Sequence, residues 1–198
     1  MTKPNLTPAY DRGIEPSVRE IYTALHEAAW SSEDARLEGL SKLSDAVANT
    51  NGIVDPFSFR KQMAHELLHI LIPAAMRAAA SVCNSKQHKG VLIEAADSCS
   101  LGTSDEPLAI RSASIEAYGA AQAGHQNKAL WKAANHAGKA AYAAYALAHP
   151  SAIKEVAEAI GAANQSADVA LSKFADSLVH VLTELGAPGP GAPLKAAA

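Results

Sequence analysis

Aromatic side chains make up only 5% of this 198-residue chain, and cysteine occurs twice. The two cysteines, Cys83 and Cys99, have no C-x-x-C spacing and do not make a disulfide framework, so both read as reduced packing residues or minor surface thiols. No long apolar run occurs. The stretch Ile70-Leu71-Ile72-Pro73-Ala74-Ala75-Met76 is interrupted by proline and ends at Arg77, well short of the roughly 20 residues a membrane span needs. No apolar stretch follows Lys3, so the pattern of a signal peptide is missing at the N-terminus. Positive charge is not in excess either. A net charge of -3 and a pI of about 6.2 leave no global basic field to hold a phosphate backbone. Gly-rich phosphate loops and nucleophile elbows are absent. These absences predict a cytoplasmic protein that engages neither membrane nor nucleic acid.

What is present is alanine. The hydrophobic fraction is 48%, and alanine supplies much of it, which favours closely packed helices over a core of large side chains. The expected fold is all-α, a single multi-helix bundle or irregular helical stack. Residues 1–186 form the helical domain, with a point of subdivision allowed near 85–106. The tail 187–198, rich in Pro, Gly and Ala, cannot continue a helix and is expected to be mobile.

Helix signals recur along the chain. Pro16 opens a stripe of Val18, Ile21, Tyr22, Leu25 and Ala29. Ser31 and Ser32 cap a second stripe of Leu37, Leu40, Leu43 and Val47, which ends at Asn49-Thr50-Asn51-Gly52. Asp55-Pro56 starts a third helix, with Phe59, Met63, Leu67 and Ile70 on its apolar face. Pro73 cannot donate to the His69 carbonyl, so a kink or restart is expected there. Residues 84–90 read as a polar break. Val91-Leu92-Ile93 has strand propensity, but Glu94-Ala95-Ala96-Asp97 favours helix. Leu101 to Pro107 reads as a loop. Beyond it, helices are expected over 108–123, 129–148, 150–163 and 166–185, the last stopping at Gly186.

One segment proposes specific chemistry. His65-Glu66-Leu67-Leu68-His69 has the His-Glu-x-x-His spacing that lets one helix offer two imidazoles to a zinc ion. Glu66 would then act as general base on a metal-bound water. A third ligand must come from downstream, and Glu94 and Asp105 are the candidates. Asp97 is a candidate partner for a ligand histidine. The fragment Gly102-Thr103-Ser104-Asp105 resembles the Gly-Thr-x-Asp of the aspzincin metallopeptidases, whose aspartate is the third zinc ligand. The Tyr-Gly that follows in that family is replaced here by Leu108-Ala109, so its oxyanion tyrosine is missing. No period-2 strands flank the helix to hold a substrate.

The other constellations read as structural. His125, His136 and His149 are expected to serve as capping, buried-polar or surface residues. Lys128, Lys132 and Lys139 form a solvated face despite the neighbouring Trp131, Tyr142 and Tyr145. The segments Ala109-Ile110-Arg111-Ser112-Ala113 and Ala129-Leu130-Trp131-Lys132-Ala133-Ala134-Asn135-His136-Ala137-Gly138-Lys139-Ala140-Ala141-Tyr142 resemble the alanine-rich helical immunity proteins of bacteria. This resemblance spans about residues 91–148 and implies a small binding protein without catalytic residues or cofactor. The leading expectation is a non-enzymatic interaction protein that binds a protein partner or a second copy of itself. Trp30, Trp131, Tyr142 and Tyr145 are the expected exposed anchors. The competing expectation is a zinc-dependent hydrolase using His65, His69, Glu66 and either Asp105 or Glu94.

Overall fold

Residues 16–48, 55–101, 106–145 and 149–186 are described in the computed structural model. Among them every regular element is helical: α1 (Pro16–Glu27), α2 (Glu33–Ala48), α3 (Pro56–Glu66), α4 (Ile72–Ser81), α5 (Lys86–Ser100), α6 (Glu106–Ala123), α7 (Lys128–Tyr145), α8 (Ser151–Ala162) and α9 (Asp168–Glu184). A π turn over Leu67–Leu71 joins α3 to α4, so residues 56–81 form one continuous helical run. The all-α class follows from the alanine-rich, helix-periodic sequence.

The central run begins as its sequence dictates. The Asp55 side chain accepts a hydrogen bond from the Ser58 N–H at 2.8 Å, and Pro56 occupies the first turn. At Pro73 the expected kink or restart takes the form of a π turn, with α4 starting at Ile72. The Ile72 N–H bonds to the Leu67 carbonyl, five residues back. This widened turn shifts the hydrogen-bond register just ahead of the proline, whose missing N–H and bulky ring a regular helix interior accommodates badly. Leu67, Leu68 and Leu71 of the π turn are buried, as are Ile72, Pro73, Ala75, Met76, Ala78, Ala79 and Ala80 of α4. A helix apolar on nearly all sides has to sit inside the fold. Its neighbours show that it does: α5, α7 and α8 pack against α4, while α9 packs against α3 and the π turn. Around this axis α2 lies on α9, and α6 bridges α5 and α7. Leu92, Ala96 and Cys99 of α5 belong to the same apolar cluster as the buried residues of the other helices.

Several local expectations shift. Ala29 is exposed and lies beyond α1, while Ala28 is buried in its place. Leu37 is exposed on α2, whose main cover among the described residues is α9. The polar break shortens to the residues around Asn84, since Ser85 caps α5 by accepting from the His88 N–H and Gly90 is helical. The apolar Val91-Leu92-Ile93 is helix. The stop signal at 49–52, the loop residues 102–105 and the tail 187–198 lie outside the described residues. Helix ends elsewhere match their punctuation. Asn164 closes α8 with φ of 57°, and Gly186 closes α9 with φ of 90°.

Close helix approach depends on small residues at defined points. A Cβ at Gly39 would stand 2.6 Å from Ser172 Oγ of α9 and 2.7 Å from the Trp30 ring. Gly119, by contrast, has no neighbour within 4 Å of such an atom. Gly39→Ala is therefore expected to lower unfolding stability by about 1–3 kcal/mol, while Gly119→Ala raises it by about 0.5–1 kcal/mol. Urea unfolding of both variants checks this; a stabilised Gly39→Ala protein would contradict the close α2–α9 approach.

Candidate functional site

The His-Glu-x-x-His segment straddles the end of α3 and the π turn. The His65 and His69 rings lie against each other, with centroids 4.0 Å apart and planes tilted by 61°. His65 is exposed and His69 half-buried. The Nε2 atom of His69 and the Oε1 atom of Gln62 are buried without a hydrogen-bond partner among the described residues. Glu66 is engaged. Its Oε2 accepts a hydrogen bond from the Ser177 hydroxyl of α9. This hydrogen bond clasps the central helix to α9.

No three His, Cys, Asp or Glu side chains gather as a metal-ion site among the described residues. Glu94 is exposed on α5 and does not join the two imidazoles. Asp97, the candidate second-sphere acid, instead pairs with Arg77 at 2.9 Å. Asp105 lies outside the described residues. What the arrangement offers is a contacting imidazole pair beside a helix–helix clasp. Ser177 is the partner that sequence reasoning missed. It lies 111 residues from Glu66, and only the antiparallel course of α9 along the central run brings the two together. That course is marked independently by Gln165, which donates to Ser81 Oγ at 2.9 Å.

His125, His136 and His149 each have a partner. His125 Nδ1 lies 3.1 Å from the Gln122 carbonyl in the last turn of α6. His136 Nδ1 lies 2.6 Å from Glu155 Oε2, tying α7 to α8. His149 Nδ1 accepts from the Ser151 N–H at 3.2 Å, at the start of α8. Both cysteines are buried and free. Burial pushes the Cys99 thiol up to about 11, which leaves it protonated and unreactive at neutral pH.

The four aromatic anchors divide. Trp30 is not an exposed anchor. It is half-buried, its ring lies against Gly39, and its Nε1–H donates to the Leu25 carbonyl at 2.8 Å. It closes the end of α1, where the same carbonyl also accepts the Ala28 N–H at 3.3 Å. Trp131, Tyr142 and Tyr145 are exposed along α7. Among the described residues no helix is long and apolar enough to cross a membrane. Compared with protein-family models, curated proteins and solved structures, the chain matches none.

Ser177→Ala leaves the half-buried Glu66 carboxylate without this donor and is expected to cost about 1–3 kcal/mol of stability. The purified protein is expected to carry no stoichiometric zinc. Elemental analysis of wild type and His65→Ala decides the second point: zinc at one per chain, lost in the variant, would favour the hydrolase reading.

Proposed function

We propose that this chain is a non-enzymatic, cytoplasmic helical interaction protein of the immunity type, which binds a protein partner or a second copy of itself through the outer face of α6 and α7. The observation that carries this reading is the concentration of exposed apolar side chains on that hairpin. Leu108 and Ile115 of α6 are each 59% exposed; on α7 the figures are 44% for Trp131, 65% for Tyr142 and 47% for Tyr145. Large side chains left in water at this density mark interaction surfaces more often than chance.

The spacing gathers them. Trp131, Tyr142 and Tyr145 lie at helical spacing along α7, close to one stripe of the helix. Leu108 and Ile115 are seven apart on α6 and share a stripe in the same way. The two helices pack as an antiparallel pair, with the Ser114 hydroxyl donating to the Gly138 carbonyl at 3.1 Å. The Tyr118 ring lies over Gly138, where a Cβ would stand 3.1 Å from it. Burial, and next the Glu155 charge and Tyr142, raise the Tyr118 phenol above its ordinary value, so it remains a neutral hydroxyl at this face.

Rigid aromatic side chains on a fixed helix lose little entropy on binding and supply large contact area, which suits them as anchors. The resemblance of residues 91–148 to alanine-rich immunity proteins supports the same reading, because it covers both stripe-bearing helices. The engagement of Glu66 by Ser177 weighs against the zinc-hydrolase alternative.

The double variant Trp131→Ala, Tyr145→Ala is expected to keep the wild-type unfolding midpoint and to weaken association by roughly 10- to 100-fold. Sedimentation at rising concentration reads self-association, and co-purification with the immobilised chain reads a foreign partner. Identical behaviour of variant and wild type in both measurements would remove this face from the argument.

A further inference from the structure

A second surface feature lies away from the α6–α7 stripes. Between the central helical run and the first half of α9 is a groove of about 680 Å³, within the range of small-molecule sites. Its floor is apolar, formed by Ile70, Ala74, Ile160 and Ala170. Its polar groups lie at the two ends. His69 and Lys173 stand at one end; Arg77, Ser100 and Ser166 stand at the other. The antiparallel course of α9 explains the pairing, since Glu66 meets Ser177 and Ser81 meets Gln165. Residues 69 and 77 are eight apart on the central run, which puts the ends about 12 Å from each other along the axis.

The charge is one-sided. Two cationic side chains line the groove, and no carboxylate does so among the described residues. Arg77 uses Nη2 for Asp97 at 2.9 Å and Ser100 at 3.3 Å, and a guanidinium carries five N–H donors. Lys173 makes no ion pair among the described residues. A groove with cations at its ends and an apolar floor between them is complementary to an organic anion, and poorly complementary to a neutral or cationic molecule.

We infer that this groove is a binding site for a small organic carboxylate, whose apolar body lies on the Ile70–Ile160 floor and whose carboxylate is held by Lys173 or Arg77. The site is independent of the α6–α7 face, so either can fail alone.

The test uses the full chain and the fluorescent probe 2-naphthoate, with 2-naphthalenemethanol as its neutral counterpart and inorganic phosphate as an anion without an apolar body. Saturable naphthoate binding is expected, with the alcohol and phosphate each weaker by roughly tenfold or more. Lys173→Gln and Arg77→Gln together are expected to lower naphthoate affinity by roughly tenfold. Both residues are exposed, and the Arg77–Asp97 pair is half in solvent, so the variant is expected to fold; its unfolding midpoint verifies this. Ala74→Trp, which fills the floor and leaves both cations, is a second route and is expected to abolish probe binding. Absence of saturable naphthoate binding by the wild type would overturn the proposal. Equal binding of the alcohol, equal binding of phosphate, or unchanged affinity in the folded double-glutamine variant would overturn it as well.

Discussion

A proline in a deeply buried helix sets the terms for the rest of this fold. Pro73 can give no hydrogen bond to the His69 carbonyl, and its ring crowds that carbonyl. In a helix interior this costs about 3 kcal/mol. Here the widened turn over Leu67–Leu71 accommodates it, and the surroundings reward the accommodation. Leu67, Leu68, Leu71 and Ile72 are at most 1% exposed, and burial of each such side chain contributes about 1.5–3 kcal/mol. The helix therefore runs on through the proline instead of breaking. Because it does, a single axis is available for α5, α7 and α8 on one stretch and α9 on the other.

Packing against that axis is governed by size. With few aromatics, the core obtains its cohesion from many short contacts, and these require backbones to come close. The buried stripe of α7 is almost entirely small: Ala133, Ala134, Ala137, Gly138, Ala140, Ala141 and Ala144. It lets α4, α6 and α8 approach α7 together. Gly138 takes this furthest, admitting the Tyr118 ring directly against the backbone. The same economy of side-chain volume inside leaves the larger residues of α6 and α7 on the outside, so the exposed aromatic face and the alanine core are two sides of one sequence pattern.

How much of this is legible in the sequence depends on whether the deciding partner is local. Asp55-Pro56, Asn164 and Gly186 act within a few residues, through a cap, a left-handed turn and a flexible φ; they place helix ends correctly. The helices beyond residue 106 emerge within a few residues of their expected bounds for the same reason. Leu37 misleads because its periodicity is sound, while the number of helices covering α2 is a tertiary fact. Trp30 misleads because its neighbours are polar serines, whereas its partner is the Leu25 carbonyl where α1 ends. The π turn is foreshadowed only as a problem: proline announces that a hydrogen bond will be lost, and burial decides how the chain absorbs the loss. The His-Glu-x-x-His segment is the extreme case. Five residues specify which side chains share a helix face, and nothing in them specifies what stands opposite.

What stands opposite is α9, held in a manner unlike the alanine half of the molecule. Along its length Asp168 accepts two hydrogen bonds from Ser31, Asp176 pairs with Lys42 at 3.0 Å, and Ser177 donates to Glu66. Burial pushes the Asp168 carboxyl up, but the hydrogen bonds from Ser31 and Ser166 outweigh it and hold the group below its ordinary value. Its contribution is therefore complete above the unfolded-state pKa and is lost as pH falls through the depressed folded value. The Asp168 and Asp176 contacts are exposed, and such contacts contribute little stability on their own. Their distribution gives them another role. Phe174, Leu171, Leu178 and Leu182 supply the burial energy of α9, but a smooth apolar stripe against another can slide by a turn. Three polar contacts on two different helices and one loop can be satisfied together in only one register. That register brings Lys173 and Ser166 into the groove that His69 and Arg77 also line, so the composition of the groove follows from the polar clasps, while its existence follows from the core.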